Sequence, residues 1–366
     1  MEKIALITDP LGVLAVLLGV LALLFAANEH PSCKKIFKII PLLVFAYFVP
    51  TLLSNTHIIP LSSPVYTYIK KWLLPASLML LTLSVDLKGV MGLGKKAILM
   101  FLAGTLGIVL GGPLAYLMFG WMLPEALGEQ AWKGLAALSG SWIGGTANMV
   151  GIGESVGATD STMSMIVIVD VAVASVWMAC LLYFAGREEA MDKQVGADRK
   201  TIDELMVKVE QFEAKVSRPT NLPDILTILA LAFVSTAVAT YASKHLPDIG
   251  SIVRGFTWVV LIVTTIGVGL SFTRFRKLEG AGASKIGSTF LYLLVATIGA
   301  KAEFAKVVDA PALVLVGVVW MSVHAGILWL LRKKIRSPIF FLAVGSQANV
   351  GGAASAPIVA SAFHPT

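Results

Sequence analysis

Charged side chains are scarce in this chain. Asp, Glu, Lys and Arg make up 14% of its 366 residues, whereas water-soluble domains carry about 25%. Apolar residues make up 57%, and the mean hydropathy is +0.82. This composition excludes an ordinary soluble globular protein and predicts one that resides in a membrane.

Cysteines and catalytic motifs are also scarce. Cys33 and Cys180 are the only cysteines, and neither belongs to a CxxC or Cys/His pattern, so neither a disulfide framework nor a zinc site is indicated. No phosphate-binding glycine loop, nucleophile elbow or zinc-protease motif stands in a supporting context. We therefore predict that the protein is not an enzyme, has no catalytic residues and needs no cofactor, except that a sodium ion could bind.

The net charge of +7 comes from basic residues in short clusters between apolar segments. Such clusters are typical of loops that set orientation in a bilayer, so we predict no nucleic-acid partner. Apolar runs long enough to cross a bilayer occur ten times. They lie at about 9–27, 37–54, 72–87, 96–122, 131–155, 160–185, 223–243, 254–272, 284–305 and 309–331, with an eleventh, Gly-rich stretch at 337–363. Asp9 and the lack of a small-residue cleavage site indicate that the first run is a retained helix, not a signal peptide.

One long polar segment, 187–220, divides the chain into membrane regions 1–186 and 221–366. Thr201 to Glu204 resembles a capping box, and Ile202, Leu205, Val209, Phe212 and Val216 recur at helical spacing, which predicts a short amphipathic helix. This helix is either solvated in the linker or bound to the membrane or protein surface.

The two membrane regions share a repeat. Residues 139–148 and 346–355 both fit S-x-x-x-[IV]-G-G-x-A, and upstream of each an apolar run ends near an acid and a lysine, at Asp86 and at Glu303. The same order of motifs predicts two structural repeats of about five helices each. Within the 366 residues the second repeat has no counterpart of the span 160–185.

The distribution of basic residues predicts how the repeats lie in the membrane. If the segments around 131–155 and 337–363 enter and leave on one side, 21 of the 29 Lys and Arg residues are cytoplasmic when the N-terminus is outside. A full crossing by 131–155 would leave only 10 inside, against the positive-inside rule. Reversing the orientation of that model restores 19 inside but places the two lysine clusters of the first membrane region outside. We therefore predict inverted repeats, each with a re-entrant Gly-Gly hairpin, with the linker cytoplasmic and the hairpin tips free to approach each other.

The segments WLLPASLMLLTLSVDLKGV, GSWIGGTANM, IVIVDVAVASVWMA and GSQANVGGAASAP resemble the YjcL-type family of bacterial membrane proteins over nearly the whole chain. More distantly, the chain resembles the anion-transporter and cation:proton antiporter superfamily, and the hairpins are similar to those of sodium:glutamate and sodium:citrate symporters. These resemblances imply ten helices in a bacterial inner membrane, sodium or proton coupling, elevator-like motion and a homodimer.

Small and polar residues at the two breaks are the predicted solute site. Half-helix N-termini attract anions, and small residues let a solute approach the backbone; tight helix packing is the alternative explanation. The predicted residues are Ser141, Trp142, Gly144, Gly145, Thr146, Asn148, Asn349, Gly351, Gly352 and Ser355.

Asp170 is the acid deepest within a span and the predicted coupling residue, as a sodium ligand or a proton carrier. A buried Asp bonded to a neighbouring helix is the alternative. Oxygens of Asn148, Asn349, Ser346 and Gln347 would complete a sodium site. Asp86, Glu303 and His324 are secondary candidates, for which lysine pairing or an interhelical hydrogen bond competes. Glu154 and Asp160 flank the first hairpin, as vestibule acids or as exposed loop acids.

Together these features predict a secondary active transporter. It would couple sodium or proton entry to uptake of a small polar solute, such as a carboxylate, an amino acid or a short peptide like a murein peptide. A cation:proton antiporter without an organic substrate is the first alternative. A membrane sensor or scaffold that acts through the linker is the second.

Overall fold

The computed structural model describes residues 5–33, 36–37, 42–84, 94–123, 125–198, 202, 219–250, 253, 255–301 and 310–363. In these residues the protein is built from helices, with one isolated β-bridge between Ile249 and Val253. The helices are α1 (Pro10–Glu29), α2 (Leu42–Asn55), α3 (Pro64–Tyr68), α4 (Leu74–Leu83), α5 (Lys95–Phe119), α6 (Gln130–Ser141), α7 (Thr146–Val156), α8 (Asp160–Ala185), α9 (Glu188–Val195), α10 (Leu222–Ser243), α11 (Phe256–Ser271), α12 (Ala283–Ala300), α13 (Ala310–Ile335), α14 (Ile339–Val350) and α15 (Gly352–Phe363).

Six of these helices are long and apolar enough to cross a membrane. They are α1, α5, α8, α10, α12 and α13. A seventh is gained if α11 and the 3-10 helix Arg274–Ala281, which meet at a bend of 96°, count as one span. The prediction of an all-helical, multi-pass membrane protein is confirmed, and these helices contact the lipid bilayer.

The other predicted spans differ from single crossing helices for identifiable reasons. Residues 42–54 of the run 37–54 lie in the 14-residue helix α2. The described part of the run 72–87 belongs to a longer helical segment that starts at Pro64 and contains a π-helical turn, Ile69–Leu73, between α3 and α4. The runs 131–155 and 337–363 are each broken into two helices, because glycine pairs interrupt them. Ten crossing helices therefore remain a prediction, with six or seven present among the described residues.

The chain forms two compact units that interleave in sequence. The bundle unit comprises Met1–Val85, Gly153–Val167 and Arg218–Val308; the hairpin unit comprises Asp86–Ile152, Ile168–Ser217 and Asp309–Thr366. Each unit therefore draws on both sides of the polar linker. The division into two inverted sequence repeats stays a prediction.

Close backbone contacts hold the bundle unit together. Helix α12 packs against α2 and α4, and α4 also packs against α10 and α11. At Gly299 of α12, an added Cβ would collide with the carbonyl oxygen of Tyr47 in α2. Such small-residue contacts let helices approach closely where lipid supplies no hydrophobic driving force.

The hairpin unit has a pair of long helices, α5 and α13, as its frame. Gly111 and Gly112 on α5 leave space for Trp320 of α13: an added Cβ on either would lie 2.6 Å from the indole. The indole Nε1 of Trp320 also donates to the carbonyl oxygen of Ile108 at 2.7 Å. The glycines thus position α13 so that its aromatic and polar side chains face α5.

The start of the linker packs on the hairpin unit. The capping box at Thr201 and most of the predicted amphipathic positions lie outside the described residues, although Ile202 is described and is 1% exposed. Helix α9 was not predicted, because 187–220 has the composition of a solvated segment. Glu188 and Asp192 of α9 are buried, at 6% and 2% exposure, so this part of the linker belongs to the protein interior.

Candidate functional site

The first helix break separates α6 from α7. Helix α6 ends at Ser141 and α7 starts at Thr146, and the backbone between them turns through Gly144 and Gly145, whose φ angles are 155° and 97°. Side-chain-bearing residues rarely adopt such angles, whereas glycine does so without strain. The return helix folds back on the first: an added Cβ on Gly140 would lie 2.8 Å from the carbonyl oxygen of Asn148.

The second break is tighter. Helix α14 ends at Val350, and α15 begins two residues later at Gly352, which has a φ of 65°. The amide of Gly351 donates to the carbonyl oxygen of Gln347 at 2.9 Å, which closes the last turn of α14. The segments 130–156 and 339–363 are therefore the first and second hairpins.

The two breaks meet inside the hairpin unit. A Cβ placed on Gly352 would lie 2.7 Å from the carbonyl oxygen of Gly144, and one placed on Gly145 would lie 3.6 Å from that of Gly351. Only glycine allows this approach at 352. Two half-helices, α6 and α14, end at this junction and two others, α7 and α15, begin there, so it presents both carbonyl and amide ends of helices.

Asp170 is the anchor of the first break. It lies in α8 with 6% exposure; its Oδ2 accepts a hydrogen bond from the Ser141 hydroxyl at 2.8 Å, and its Oδ1 accepts one from the Trp142 indole at 2.8 Å. Trp142 also contacts the ring of Trp320 edge-on, with centroids 5.1 Å apart. Three residues predicted to bind solute or ion are thus brought together, and they bind one another.

Asn349 anchors the second break in a similar way. Its amide nitrogen donates to the carbonyl oxygens of Phe101 and Gly345, each at 2.9 Å, and its Oδ1 accepts from the Thr105 hydroxyl at 2.7 Å. The side chain is fully buried. Both ends of the amide are therefore engaged with protein partners, and its role is to hold α14 against α5.

His324 and Ser346 form the third anchor. His324 contacts the carbonyl oxygen of Gly104 through Nδ1 at 2.9 Å and the Ser346 hydroxyl through Nε2 at 2.7 Å, and the indole of Trp177 donates to the same hydroxyl at 2.8 Å. Because a carbonyl only accepts, Nδ1 carries the proton, and Nε2 accepts from Ser346. This geometry matches the alternative explanation given for His324, an interhelical hydrogen bond.

Among the predicted site residues whose side chains the structure describes, the accessible polar groups lie at the first break. Gly144 and Asn148 are exposed and Thr146 is half-buried, whereas Gln347 near the second break is buried. The side chain of Ser355 and all of Asp86 and Glu303 lie outside the described residues. In the described part of the chain, no group of three or more His, Cys, Asp or Glu residues could hold a metal ion.

Glu154 and Asp160, the flanking acids, are paired with lysines of the bundle unit. Lys70 lies 2.6 Å from Glu154, and Lys301 lies 2.5 Å from Asp160. Their negative charge is therefore balanced locally, which weakens the expectation that they attract cations. Glu303, for which pairing with a lysine is the alternative role, lies outside the described residues.

Sequence reasoning missed Thr105, Trp177 and Trp320. Thr105 and Trp177 lie within apolar spans, where a single hydroxyl or indole is ordinary, and their partners are 244 and 169 residues away in sequence. A weak signal existed in the Gly-rich face of α5, because glycines at Gly104, Gly107 and Gly111 recur at helical spacing. That pattern predicts a close helix neighbour.

Comparison with known proteins assigns the chain to a family. A family profile described as "Protein of unknown function (DUF819)" matches residues 14–366. The chain belongs to the DUF819 family. This DUF819 chain is also 24% identical over 336 residues to a protein of Bacillus subtilis (strain 168) described as "Uncharacterized membrane protein YjcL", which covers 84% of this chain and 78% of the relative. The DUF819 match includes every segment that contributes to the hairpin unit.

Proposed function

We propose that this protein is a secondary active transporter whose solute site is the junction of the two helix breaks. The observation that carries the proposal is the contact of Gly144 and Gly145 with Gly351 and Gly352 within one compact unit. In a bilayer, broken backbone is tolerated only where it is buried in protein or lines a water-filled cavity. Two breaks placed against each other are the arrangement by which transporters build a site from half-helices.

The chemistry of the junction favours an anionic solute. Helices α7 and α15 both begin there, and the N-terminal turn of a helix offers amide groups and the positive end of its dipole to an anion. Thr146 and Asn148 add an accessible hydroxyl and amide beside the first break. A carboxylate, an amino acid or a short peptide such as a murein peptide fits this set of donors.

A cation would be coupled to the solute at the opposite helix ends. Helices α6 and α14 end at the junction, where their terminal carbonyls and dipoles favour positive charge, and Asp170 lies beside the end of α6. Sodium or a proton suits this position. The resemblance of the hairpins to those of sodium:glutamate and sodium:citrate symporters supports the same mechanism, with elevator-like motion of the hairpin unit, a homodimer, an external N-terminus and a cytoplasmic linker.

Solute flux in proteoliposomes tests the proposal. Purified protein is reconstituted, a sodium or pH gradient is imposed, and uptake of labelled carboxylates, amino acids and short peptides is compared with empty liposomes and with liposomes whose gradient an ionophore has collapsed. Gradient-dependent uptake of one solute class is the expected result. Cation and proton counterflow without any solute would instead identify an antiporter.

Deletion of 195–216 separates transport from a sensor or scaffold role. If the protein is instead a scaffold whose linker recruits a soluble partner, neither the full-length protein nor the deletion variant shows solute flux. The deletion then abolishes binding of that partner. Persistent flux after deletion supports the transporter. Absence of gradient-dependent flux for every solute, in a folded protein, would overturn it.

A further inference from the structure

The anchoring of the two hairpins differs in kind. Along α14, Ile339, Ser346 and Asn349 are bound by Asp192, by His324 with Trp177, and by Thr105 with Phe101. Among the described residues, the hydrogen bonds that hold the end of α6 to another helix converge on the single carboxylate of Asp170. The end of α6 therefore depends on one carboxylate, whereas α14 is held along its length by several neutral contacts and by Asp192 of one ion pair.

We propose that Asp170 is a latch for the first hairpin and that the coupling cation releases it. When the carboxylate is ionised, both hydrogen bonds to Asp170 are charge-assisted, which makes them roughly twice as strong as neutral ones. A proton or sodium ion on the carboxylate removes that advantage. Trp142 Nε1 can only donate, so its N–H group also opposes a cation that approaches the same oxygen.

Within the described part of the chain, Asp170 has no ion-pair partner. The groups that act on the carboxylate are Ser141 and Trp142 of the first hairpin, and α13 meets this part of α8 through Gly317, against Val169 and Val173. Helix α13 also carries His324, which is engaged with Gly104 and Ser346. Neutralising Asp170 thus acts on the first hairpin and leaves the anchors of the second unchanged.

Release would open the junction on the side of the first break, where Gly144 and Asn148 are already exposed. When Ser141 and Trp142 leave Asp170, the end of α6 and the turn through Gly145 lose their connection to α8. Cation binding then loosens the first hairpin instead of ordering it. This role presupposes the cation coupling of the proposed function but no particular solute.

Hydrogen exchange of the purified full-length protein in detergent tests the latch without any solute. Exchange is compared in peptides covering 138–149 and 341–352 at equal ionic strength in sodium chloride and choline chloride, and separately across a range of pH without sodium, after correction for intrinsic rates. We expect sodium or protons to raise exchange in the first peptide about fivefold, the ratio that separates charged from neutral hydrogen bonds, with little change in the second. The two arms identify the cation.

Matched variants distinguish loss of the Asp170 hydrogen bonds from a general destabilisation of the protein. Ser141→Ala with Trp142→Phe should give fast exchange in 138–149 without any cation and should remove the cation response. The same chemical changes at exposed positions, Ser322→Ala with Trp121→Phe, should leave the response intact. Asp170→Asn should behave as a permanently released latch.

Three patterns of an observed cation response would overturn the latch. These are slower exchange of 138–149 with cation, equal responses of both hairpins, and a cation response that survives in Asp170→Asn or in Ser141→Ala with Trp142→Phe. If neither sodium nor protons alter exchange, the latch is likewise wrong, whatever the flux measurements show. A working latch without solute flux would instead refute the transporter and leave a cation-responsive hairpin.

Discussion

Asp192 and Arg332 form an ion pair that is almost completely buried. Nη2 of Arg332 lies 3.0 Å from Oδ1 of Asp192, and their side chains are 1% and 2% exposed. The same Oδ1 accepts the backbone N–H of Ile339, the first residue of α14, at 2.7 Å. Arg332 also donates to the carbonyl oxygen of Met191 at 2.8 Å. The pair therefore fixes the base of the second hairpin to α9 and α13 together.

We predict that Asp192→Ala destabilises the protein strongly. The change leaves a buried guanidinium without its counterion, which costs about 3–5 kcal/mol, and removes the acceptor of the Ile339 amide. Thermal unfolding in detergent measures the effect, and Glu189→Gln, at an exposed position on the same helix, is the control. Adding Arg332→Met to Asp192→Ala should recover part of the loss; equal melting of Asp192→Ala and the control would show that the pair is dispensable.

Gly352→Ala should disrupt the junction of the hairpins. The residue has a φ of 65°, and its Cβ would lie 2.7 Å from the carbonyl oxygen of Gly144; the backbone conformation alone costs about 1–2 kcal/mol in a residue with a side chain. Gly326→Ala in α13 is the matched control, because nothing lies within 4 Å of its Cβ. Unfolding temperature and solute uptake should both fall for Gly352→Ala only. If uptake is unchanged in that variant, the junction is not the solute site.

Substitution by aspartate should impair folding at Asn349 but only solute binding at Asn148. Asn349→Asp removes the donors to Phe101 and Gly345 and places an uncompensated carboxylate at a fully buried position, at a cost of roughly 3–5 kcal/mol. We expect poor folding, seen by size-exclusion chromatography. Asn148→Asp, at an exposed position, should fold normally but weaken binding of an anionic solute in a thermal-shift titration. Tighter anion binding in Asn148→Asp would contradict an anion site at the first break.

Ser346→Ala should destabilise the protein more than the loss of one hydroxyl group suggests. It deprives the Trp177 indole of its acceptor and His324 Nε2 of its donor, and each buried group left unsatisfied costs about 1–3 kcal/mol. Ser322→Ala, at an exposed hydroxyl of α13, should change the melting temperature little. Similar melting temperatures of the two variants would mean that water replaces the Ser346 hydroxyl as the hydrogen-bond partner of His324 and Trp177.

The local features of the fold were accessible from the sequence. Gly-Gly pairs flanked by apolar helix formers predict breaks because glycine readily adopts positive φ angles. The structure breaks at both pairs, with positive φ at Gly144, Gly145 and Gly352. Asp170 stood out because an acid within a span is costly and needs a reason. Its partners, 28 and 29 residues away, depend on how α6 meets α8, which periodicity does not encode.

Burial of the linker could not be anticipated in the same way. Asp192 lies in a segment whose charges nearly cancel, and such composition is typical of solvated chain. Its burial depends on a single complementary Arg332, 140 residues later, at the end of an apolar helix where basic residues are expected for orientation alone. Pairing of this kind is a tertiary property, and only the three-dimensional arrangement reveals it.

The interleaving of the two units sets an order of assembly during synthesis. The hairpin unit needs Asp86–Ile152 and Ile168–Ser217 from early in the chain and Asp309–Thr366 from its end. Gly352 is therefore synthesised only after most of the second membrane region, long after its contact partner Gly144. Until then, the insertion machinery or lipid must cover the incomplete first hairpin. Fragments cut within the linker would each lack half of the unit, and only their reunion in one bilayer could complete it.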